Sequence, residues 1–546
     1  MQGQMMHRPL RIIDILLHAA EAHAAEGIVS ARVEGDLHRQ SYPQTLVRVA
    51  QLAQALTGLG VEQGDRVATL AWNGHRHFEL YYGVSGIGAV CHTLNPRLSH
   101  EQLLYIIAHA DDRLLFLDLS FVPLIEAILP DLPQGLRFVI LTDRAHMPDC
   151  SFDALCYEDL LAAQPPDFDW PTFPEDTAAG LCYTSGTTGN PKGALYTHRS
   201  TLLHALQVPL CQTSSFRAGA RVLPVVPLFH VNAWGLPYVA PLTGMTLVMP
   251  GPNLDGASLF RLMEAEGVYS AWGVPTVWAG LLAEIKAQGR IPSGFADLVV
   301  GGSAMPRVMI EAYETRGVIV SQAWGMTETS PIGAYGVLSP ALQTAPLPER
   351  ITAKCCAGRR LFGVDYKIVD DAGQRLPHDG QAAGELYIRG NTVISGYFNN
   401  PEATRAAMDS EGWFGTGDVA SVSPEGRLTI RDRSKDLVKS GGEWISSIDL
   451  ENAASHPGIA ACAVIAVPHP KWDERPVLVA VATGAERPTL ADVCTHMASH
   501  FAKWQLPDDL LWVEALPMTA TGKVSKLTLR DQFADYIHPD IRRDGA

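Results

Sequence analysis

Short apolar runs alternate with amphipathic stretches along most of this 546-residue chain, and that rhythm restricts it to a layered α/β architecture with buried sheets. The runs at 65–73 (DRVATLAWN), 113–120 (RLLFLDLS), 137–143 (RFVILTD), 246–251 (TLVMPG) and 297–304 (DLVVGGSA) predict strands. The patterns at 42–60 and 100–110 predict helices between them. From about 357 to 430 the chain turns β-rich, with Gly, Asp and Pro spacing short runs such as GELYIRG. At roughly 150 residues per domain the length allows three or four compact units. A hydrophobic fraction of 47% is enough for a large core.

The clearest boundary is 431–443, RDRSKDLVKSGGE, which is charged and ends in a glycine pair. It divides a large region, 1–432, containing the β-rich segment 357–430, from a small α/β region, 433–546. Ser446 and Asp449 predict a capping box for a helix running through IDLENAASH. A charged, glycine-containing joint between unequal domains suits a hinge, and by composition alone suits a rigid surface turn equally well.

A net charge of −16 argues against non-specific binding to nucleic acid or anionic membrane. The nine cysteines show no CxxC spacing, and Cys355 and Cys356 are adjacent, which suits neither a zinc site nor a routine disulfide. A reducing cytoplasm is the expected location. The N-terminus reads as an amphipathic helix rather than a secretion signal. The apolar stretch 231–250 is interrupted by Pro237, Pro241 and glycines, so a buried core is expected there and no transmembrane segment.

Function is written most densely in 183–198, YTSGTTGNPKGALYTH. Thr184, Ser185, Thr187, Thr188 and Thr197 join Gly186, Gly189 and Gly193 around Lys192. Glycines let backbone approach a bulky anion, and the amides, hydroxyls and lysine then meet its oxygens. Such a loop suits a polyphosphate. An apolar run leads in, and ALYTHRSTLLHAL follows with a helical pattern, so a loose Gly/Ser linker is the poorer explanation. The nucleotide-triphosphatase phosphate loop is excluded, because Lys192 is followed by Gly193 rather than Ser or Thr.

Other segments are ambiguous by themselves. In QAWGMTETS (322–330), Trp324 could stack on a base, Thr327 reach a phosphate and Glu328 hold Mg²⁺, yet such a run is more often a helix cap. VGGSAMP (300–306) reads as a tight turn. WFGTGDVA (413–420) places Asp418 exposed after a glycine turn, where it could accept ribose hydroxyls or simply be solvated. A lone histidine such as His230 in an apolar run is more often a satisfied core residue, and Lys523 in ALPMTATGKVSK would ordinarily be a solvated lysine.

Together, in this order and spacing, these motifs resemble the adenylate-forming enzymes: acyl-CoA synthetases, adenylation domains and beetle luciferase. The likeness covers nearly the whole chain and is greatest to bacterial medium- and long-chain fatty acid CoA ligases of the alkane-utilisation type. It implies a large multi-subdomain α/β domain and a small mobile C-terminal α/β domain. It also implies ATP, Mg²⁺ and coenzyme A as the small molecules handled with a carboxylic acid. On that resemblance Thr184, Ser185, Gly186, Thr187, Thr188, Gly189 and Lys192 cradle phosphates, and Thr184 with Glu328 holds Mg²⁺. Gln322, Ala323, Trp324, Gly325 and Thr327 line the nucleotide site, with Trp324 where most relatives have Tyr. Gly302 and Ser303 lie beside adenine and acyl group; His230, Val231 and Trp234 form the gate between the two pockets. Asp418 and Arg433 contact ribose, and Lys435 is the pivot, where many relatives have Asp. Lys439, Gly441, Gly442 and Trp444 belong to the segment that swings in for thioester formation. Lys523 bridges the reacting carboxylate and α-phosphate, and the catalytic set is Lys523, His230, Thr327, Glu328 and Lys439.

The implied activity is ATP-dependent ligation of a fatty acid to CoA, releasing AMP and pyrophosphate. From Leu228 to Pro250 there is no Asp or Glu to pair with a substrate ammonium. An unpaired buried charge costs several kcal/mol, so an apolar acid is favoured over an amino acid. A short thioether acid such as methylmercaptopropionate, delivery to a carrier protein, or a silent binding protein are the alternatives. Intact Lys192, Glu328 and Lys523 argue against the last. Similar synthetases are commonly homodimers.

Overall fold

The computed structural model describes residues 1, 3–184, 190–211, 215–441, 443–454, 456–498, 501–519 and 523–538. Its architecture is the layered α/β arrangement that the alternation predicts, built on three sheets. The seven-stranded sheet runs in the order Ala154–Cys156, Arg137–Ile140, Asp112–Leu117, Arg66–Leu70, Val90–Thr93, Ala178–Tyr183, Gly193–Thr197. Its strands are parallel except the last, which pairs antiparallel with Ala178–Tyr183.

That last strand corrects the helical expectation for 194–206. Gly193–Thr197 is a strand, and the helix begins only at His198. Thr197 marks the change: its hydroxyl caps the helix by accepting the Ser200 amide. The segment that carries Lys192 therefore connects two antiparallel strands.

The thirteen-stranded sheet has a parallel half and an antiparallel half. Gly27–Ala31, Thr246–Met249, Arg221–Pro224, Ser270–Gly273, Asp297–Val300 and Ile319–Gly325 run parallel, with Leu37–Ser41 added antiparallel at the Gly27–Ala31 edge. Beyond them, Ile332–Tyr335, Gly358–Arg360, Arg427–Arg433, Phe414–Val422, Ala383–Gly390 and Val364–Val369 continue antiparallel. The β-rich segment is thus joined edge-on to the parallel sheet.

The helix His75–Gly86 is buried along its whole length and touches strands of both large sheets. Its Glu79 is tolerated inside because Arg48 Nε (2.6 Å) and the Tyr157 hydroxyl (2.7 Å) both donate to it. The stretch 231–250 is core, as expected: the helix Leu236–Thr243 and strand Thr246–Met249 are almost wholly buried. Among the described residues no helix is long and apolar enough to cross a membrane.

The third sheet comprises Glu443–Ile445, Val438–Ser440, Asp473–Ala482, Ile459–His469 and Asp509–Trp512, and begins within the charged joint. Ser446 caps the helix Ser447–Ala453: its hydroxyl accepts the Asp449 amide and donates to Arg431 O. Parallel strands leave a crevice at their carboxyl ends, and the loops following Ala178–Tyr183, Arg221–Pro224, Asp297–Val300 and Ile319–Gly325 carry the predicted functional residues.

Candidate active site

Thr184 and Lys192 close the base of the hairpin loop. The Thr184 amide donates to Lys192 O (2.9 Å), and the Lys192 amide donates to the Thr184 hydroxyl (3.2 Å). Ser185, Gly186, Thr187, Thr188 and Gly189 lie outside the described residues, as does Gly442. The hairpin is tied to the Thr327–Glu328 turn by the Tyr196 hydroxyl, which donates to Thr327 O at 2.6 Å.

Glu328 is only 5% exposed, and burial pushes its carboxyl upward. The Tyr397 hydroxyl donates to its Oε1 at 2.7 Å and opposes that rise, as do the charges of Arg433 and Lys192. Glu328 is thus a buried carboxylate, a hard oxygen donor of the kind that Mg²⁺ prefers.

Trp324 is the penultimate residue of the strand Ile319–Gly325, and its ring packs against Gly333, where a Cβ would stand 2.7 Å from the indole. Its Nε1 donates to Asp418 Oδ2 at 2.9 Å. Asp418 corrects the expectation of an exposed turn residue. It lies inside the strand Phe414–Val422, is 2% exposed, and faces Arg433 across the antiparallel register. Arg433 Nε meets Asp418 Oδ1 at 2.8 Å. Register forces the pairing, because residues opposite one another on adjacent strands have neighbouring side chains.

Gln322 and Gly325 hold the frame. Gln322 accepts the Met305 amide (2.8 Å) and donates to Lys354 O (2.7 Å), which pins the 300–306 turn. A Cβ on Gly325 would stand 1.9 Å from Pro331 O, so only glycine fits. Ala323 is half-buried beside them, and Ser303 is exposed on the turn.

The gate residues sit in strained backbone. Val231, Asn232, Ala233 and Trp234 have φ of 40°, 54°, 45° and 56°, and Gly235 follows at 83°. Left-handed conformation costs roughly 1–2 kcal/mol per non-glycine residue, so neighbouring contacts must hold this turn. Asn232 supplies some of them: its Oδ1 accepts from the Tyr81 hydroxyl (3.0 Å) and the Cys182 thiol (3.3 Å). The turn lays the Trp234 ring on Gly301, where a Cβ would clash at 2.7 Å.

Lys523 enters this site from a C-terminal turn in which its amide donates to the Thr519 hydroxyl at 3.1 Å. Its Cε lies 3.2 Å from the position a Cβ would take on Gly302, which has φ +82°. Burial pushes its amine down to about 8, the positive Arg433 adds to that, and Asp418 opposes it. His230 lines a small cavity with Thr93, Asn95, Leu98, Ile106, Tyr183 and Phe229. Its imidazole falls to about 3 through burial and the charges of Lys523 and Arg97, so it is neutral at physiological pH. His230 is half-buried, facing a cavity whose lining is part polar and part apolar.

The contacts of the residues predicted for the other half of the chemistry lie within the C-terminal region. The Lys439 amide donates to Glu474 (2.9 Å), and its ammonium lies 5.5 Å from the Trp444 ring centroid. Gly441, at φ +61°, donates to Trp472 O. Trp444 is exposed on this hairpin. Lys435 is exposed in the joint, where partial desolvation lowers its amine. Tyr397 and Asn232 were not foreseen. Asn232 could have been suspected, since asparagine is enriched in left-handed backbone. No sequence signal marks Tyr397.

Residues 18–398 match the family model described as AMP-binding enzyme, and residues 450–523 match AMP-binding enzyme C-terminal domain. A 3-methylmercaptopropionyl-CoA ligase of Ruegeria lacuscaerulensis is 47% identical, over 98% of this chain and all of the relative. A medium-chain-fatty-acid–CoA ligase of Ectopseudomonas oleovorans is 46% identical over 98% of each. The fold matches the crystal structure of the anthranilate CoA ligase AuaEII in complex with anthranoyl-AMP. The TM-score is 0.85 at 24% identity, over 98% of this chain and 100% of that one. With the family model matched over residues 18–398 and relatives at 46–47% identity covering 98% of it, the chain belongs to the AMP-binding enzyme family.

Proposed function

We propose that this chain joins a medium- to long-chain fatty acid to coenzyme A through an acyl-adenylate, consuming ATP and releasing pyrophosphate and AMP. One observation carries this above all. Lys523, from the C-terminal region, lies over Gly302 in the large region, within electrostatic reach of Asp418, Arg433 and His230.

In the first half-reaction a carboxylate oxygen bonds to the α-phosphorus and the bond to pyrophosphate breaks. Two anions must meet, and the Lys523 ammonium offsets their repulsion as charge develops. The hairpin, with Lys192, receives the departing phosphates. Thr184 and Glu328 would hold Mg²⁺, which when bound screens the triphosphate charge. Asp418 and Arg433 hold the ribose, Trp324 flanks the base, and the neutral His230 with Trp234 separates acyl and nucleotide pockets.

In the second half-reaction the CoA sulfur bonds to the acyl carbon and AMP leaves. We assign this half to a rotation of 433–546 about Lys435 that exchanges Lys523 for the hairpin bearing Lys439, Gly441, Gly442 and Trp444. The exposed Trp444 ring beside the Lys439 ammonium offers a stacking and cationic surface for a nucleotide thiol. The large domain is then 1–432. A homodimer in the cytoplasm completes the proposal, and nine free thiols suit a reducing compartment.

An aliphatic acid is supported by the apolar stretch at the gate, where Leu228 to Pro250 carries no carboxylate. A short thioether acid is the second reading, favoured by the 47% identity to the methylmercaptopropionyl-CoA ligase. AMP release with ATP, Mg²⁺ and CoA, measured across straight-chain acids from acetate to palmitate and with methylmercaptopropionate, tests both. A maximum at medium or long chains supports the first reading, and a maximum at methylmercaptopropionate supports the second. AMP release independent of CoA, or none with any acid, would contradict both.

A further inference from the structure

Three segments distant in sequence meet at one phenol ring. The Tyr397 hydroxyl donates to Glu328 Oε1 at 2.7 Å, and the Lys192 ammonium stands 5.1 Å from the ring centroid. A phenol suits both neighbours: its O–H edge presents a donor to an anion, and its face attracts a cation. The backbone repeats this stitching. The Ile394 amide donates to Glu328 O (3.0 Å), and the Phe398 amide donates to Gly193 O (2.8 Å), next to Lys192. Tyr397 itself is fixed by its amide bond to the Thr404 hydroxyl (2.9 Å) and by an edge contact with Phe414.

A glutamate and a flexible lysine held this close attract one another. If they paired directly, each would be withdrawn from its work, the carboxylate from a metal and the ammonium from a phosphate. We propose that Tyr397 is a positioning residue that keeps Lys192 and Glu328 apart and aimed, so that one receives phosphate while the other holds the dication. This rests on the nucleotide-binding assignment made above and adds a residue to it. Tyr397 touches neither reacting atom, and it acts through its two neighbours.

The test measures binding rather than turnover. Tyr397→Phe keeps the ring face for Lys192 and removes the donor to Glu328. Tyr397→Leu removes both. Calorimetric titrations of the full chain use ATP with Mg²⁺, ATP with a chelator, and AMP as probes, and thermal melting monitors folding. A hydrogen bond to a charged group is worth enough that Tyr397→Phe should weaken Mg·ATP binding about tenfold, with AMP affinity unchanged and Tm lowered by no more than a few degrees. Tyr397→Leu should lose more. Mg·ATP affinity within twofold of the parent for both variants would overturn the proposal. So would equal losses for AMP and Mg·ATP, which mark a merely structural role. No acid is present, so a parent protein that binds Mg·ATP but adenylates no acid would defeat the assigned reaction and leave this inference standing.

Discussion

Lys523 and Gly302 come from opposite ends of the chain's organisation and meet so closely that a methyl group on Gly302 would press on the lysine stem at 3.2 Å. Gly302 also has φ +82°, which an L side chain adopts only with strain. Gly302→Ala should therefore lower stability by about 1 kcal/mol. It should also slow adenylate formation on the order of a hundredfold, since small misplacements of a reacting group are costly. Thermal melting and pyrophosphate release check the two effects. Unchanged pyrophosphate release would separate this contact from the chemistry.

The Lys523 amine, at about 8, sets a pH limit. Its protonated form is the useful one and prevails below that value, so kcat/KM for adenylate formation should fall as pH rises through about 8. His230, near 3, stays neutral throughout and adds no limb above pH 5. In Lys523→Arg the guanidinium remains charged, and the alkaline limb should disappear up to pH 10 even if the rate is lower. Pyrophosphate release across pH 6–10 measures it, and an alkaline limb that persists in the arginine variant would assign it elsewhere.

Asp418 is shared between Trp324 and Arg433. Asp418→Asn keeps an acceptor for the indole and removes the charge that faces Arg433. Because Arg433 is 43% exposed, solvent takes up part of the loss, and we expect about 1–2 kcal/mol lower stability. Trp324→Phe keeps the ring and removes its donor, costing about 1 kcal/mol. A double-mutant cycle read by denaturant unfolding should show coupling between the two positions. AMP affinity should fall in both variants.

The joint is braced by Ser447, whose amide donates to Asp432 Oδ2 at 2.6 Å and whose hydroxyl bonds to the same carboxylate. These bonds cross Lys435, so a rotation there must break them. Ser447→Ala weakens the arrangement that holds Lys523 in place. Adenylate formation should slow about two- to fivefold, the worth of one such bond. Thioester formation from supplied acyl-adenylate should not slow. Stopped assays of each half-reaction decide it, and equal slowing of both would argue against rotation at this joint.

Part of this was legible because the chemistry is written in contiguous runs. The loop around Lys192 declares itself locally, whereas the Trp324–Glu328 and Lys523 segments are ambiguous alone and become legible only through the resemblance of all the motifs in order. The helix His100–Ala110 also matches its predicted span, since Ser99 starts it and its apolar spacing is unbroken. What was hidden depended on pairing at a distance. Gly193–Thr197 follows the predicted loop with a helical pattern and becomes a strand only because Ala178–Tyr183 lies beside it. Asp418, in a sequence that resembles a turn, is buried because Arg433 stands opposite in the register. Tyr397 is separated by 69 residues from the carboxylate it holds, and nothing in ISGYFNN announces that bond. Likewise the β-rich segment could be recognised as such, but its union with the parallel sheet through Ile332–Tyr335 could not.

The most direct test of the account separates its two half-reactions in Lys523→Ala. Adenylate formation is followed as ATP–pyrophosphate exchange driven by the preferred acid, and thioester formation is followed from synthetic acyl-adenylate and CoA. Loss of the charge that bridges carboxylate and phosphate should slow the first on the order of a hundred- to a thousandfold and leave the second within about twofold of the parent. Equal loss of both halves, or an unimpaired exchange reaction, would contradict the role given to Lys523 and the domain rotation built on it.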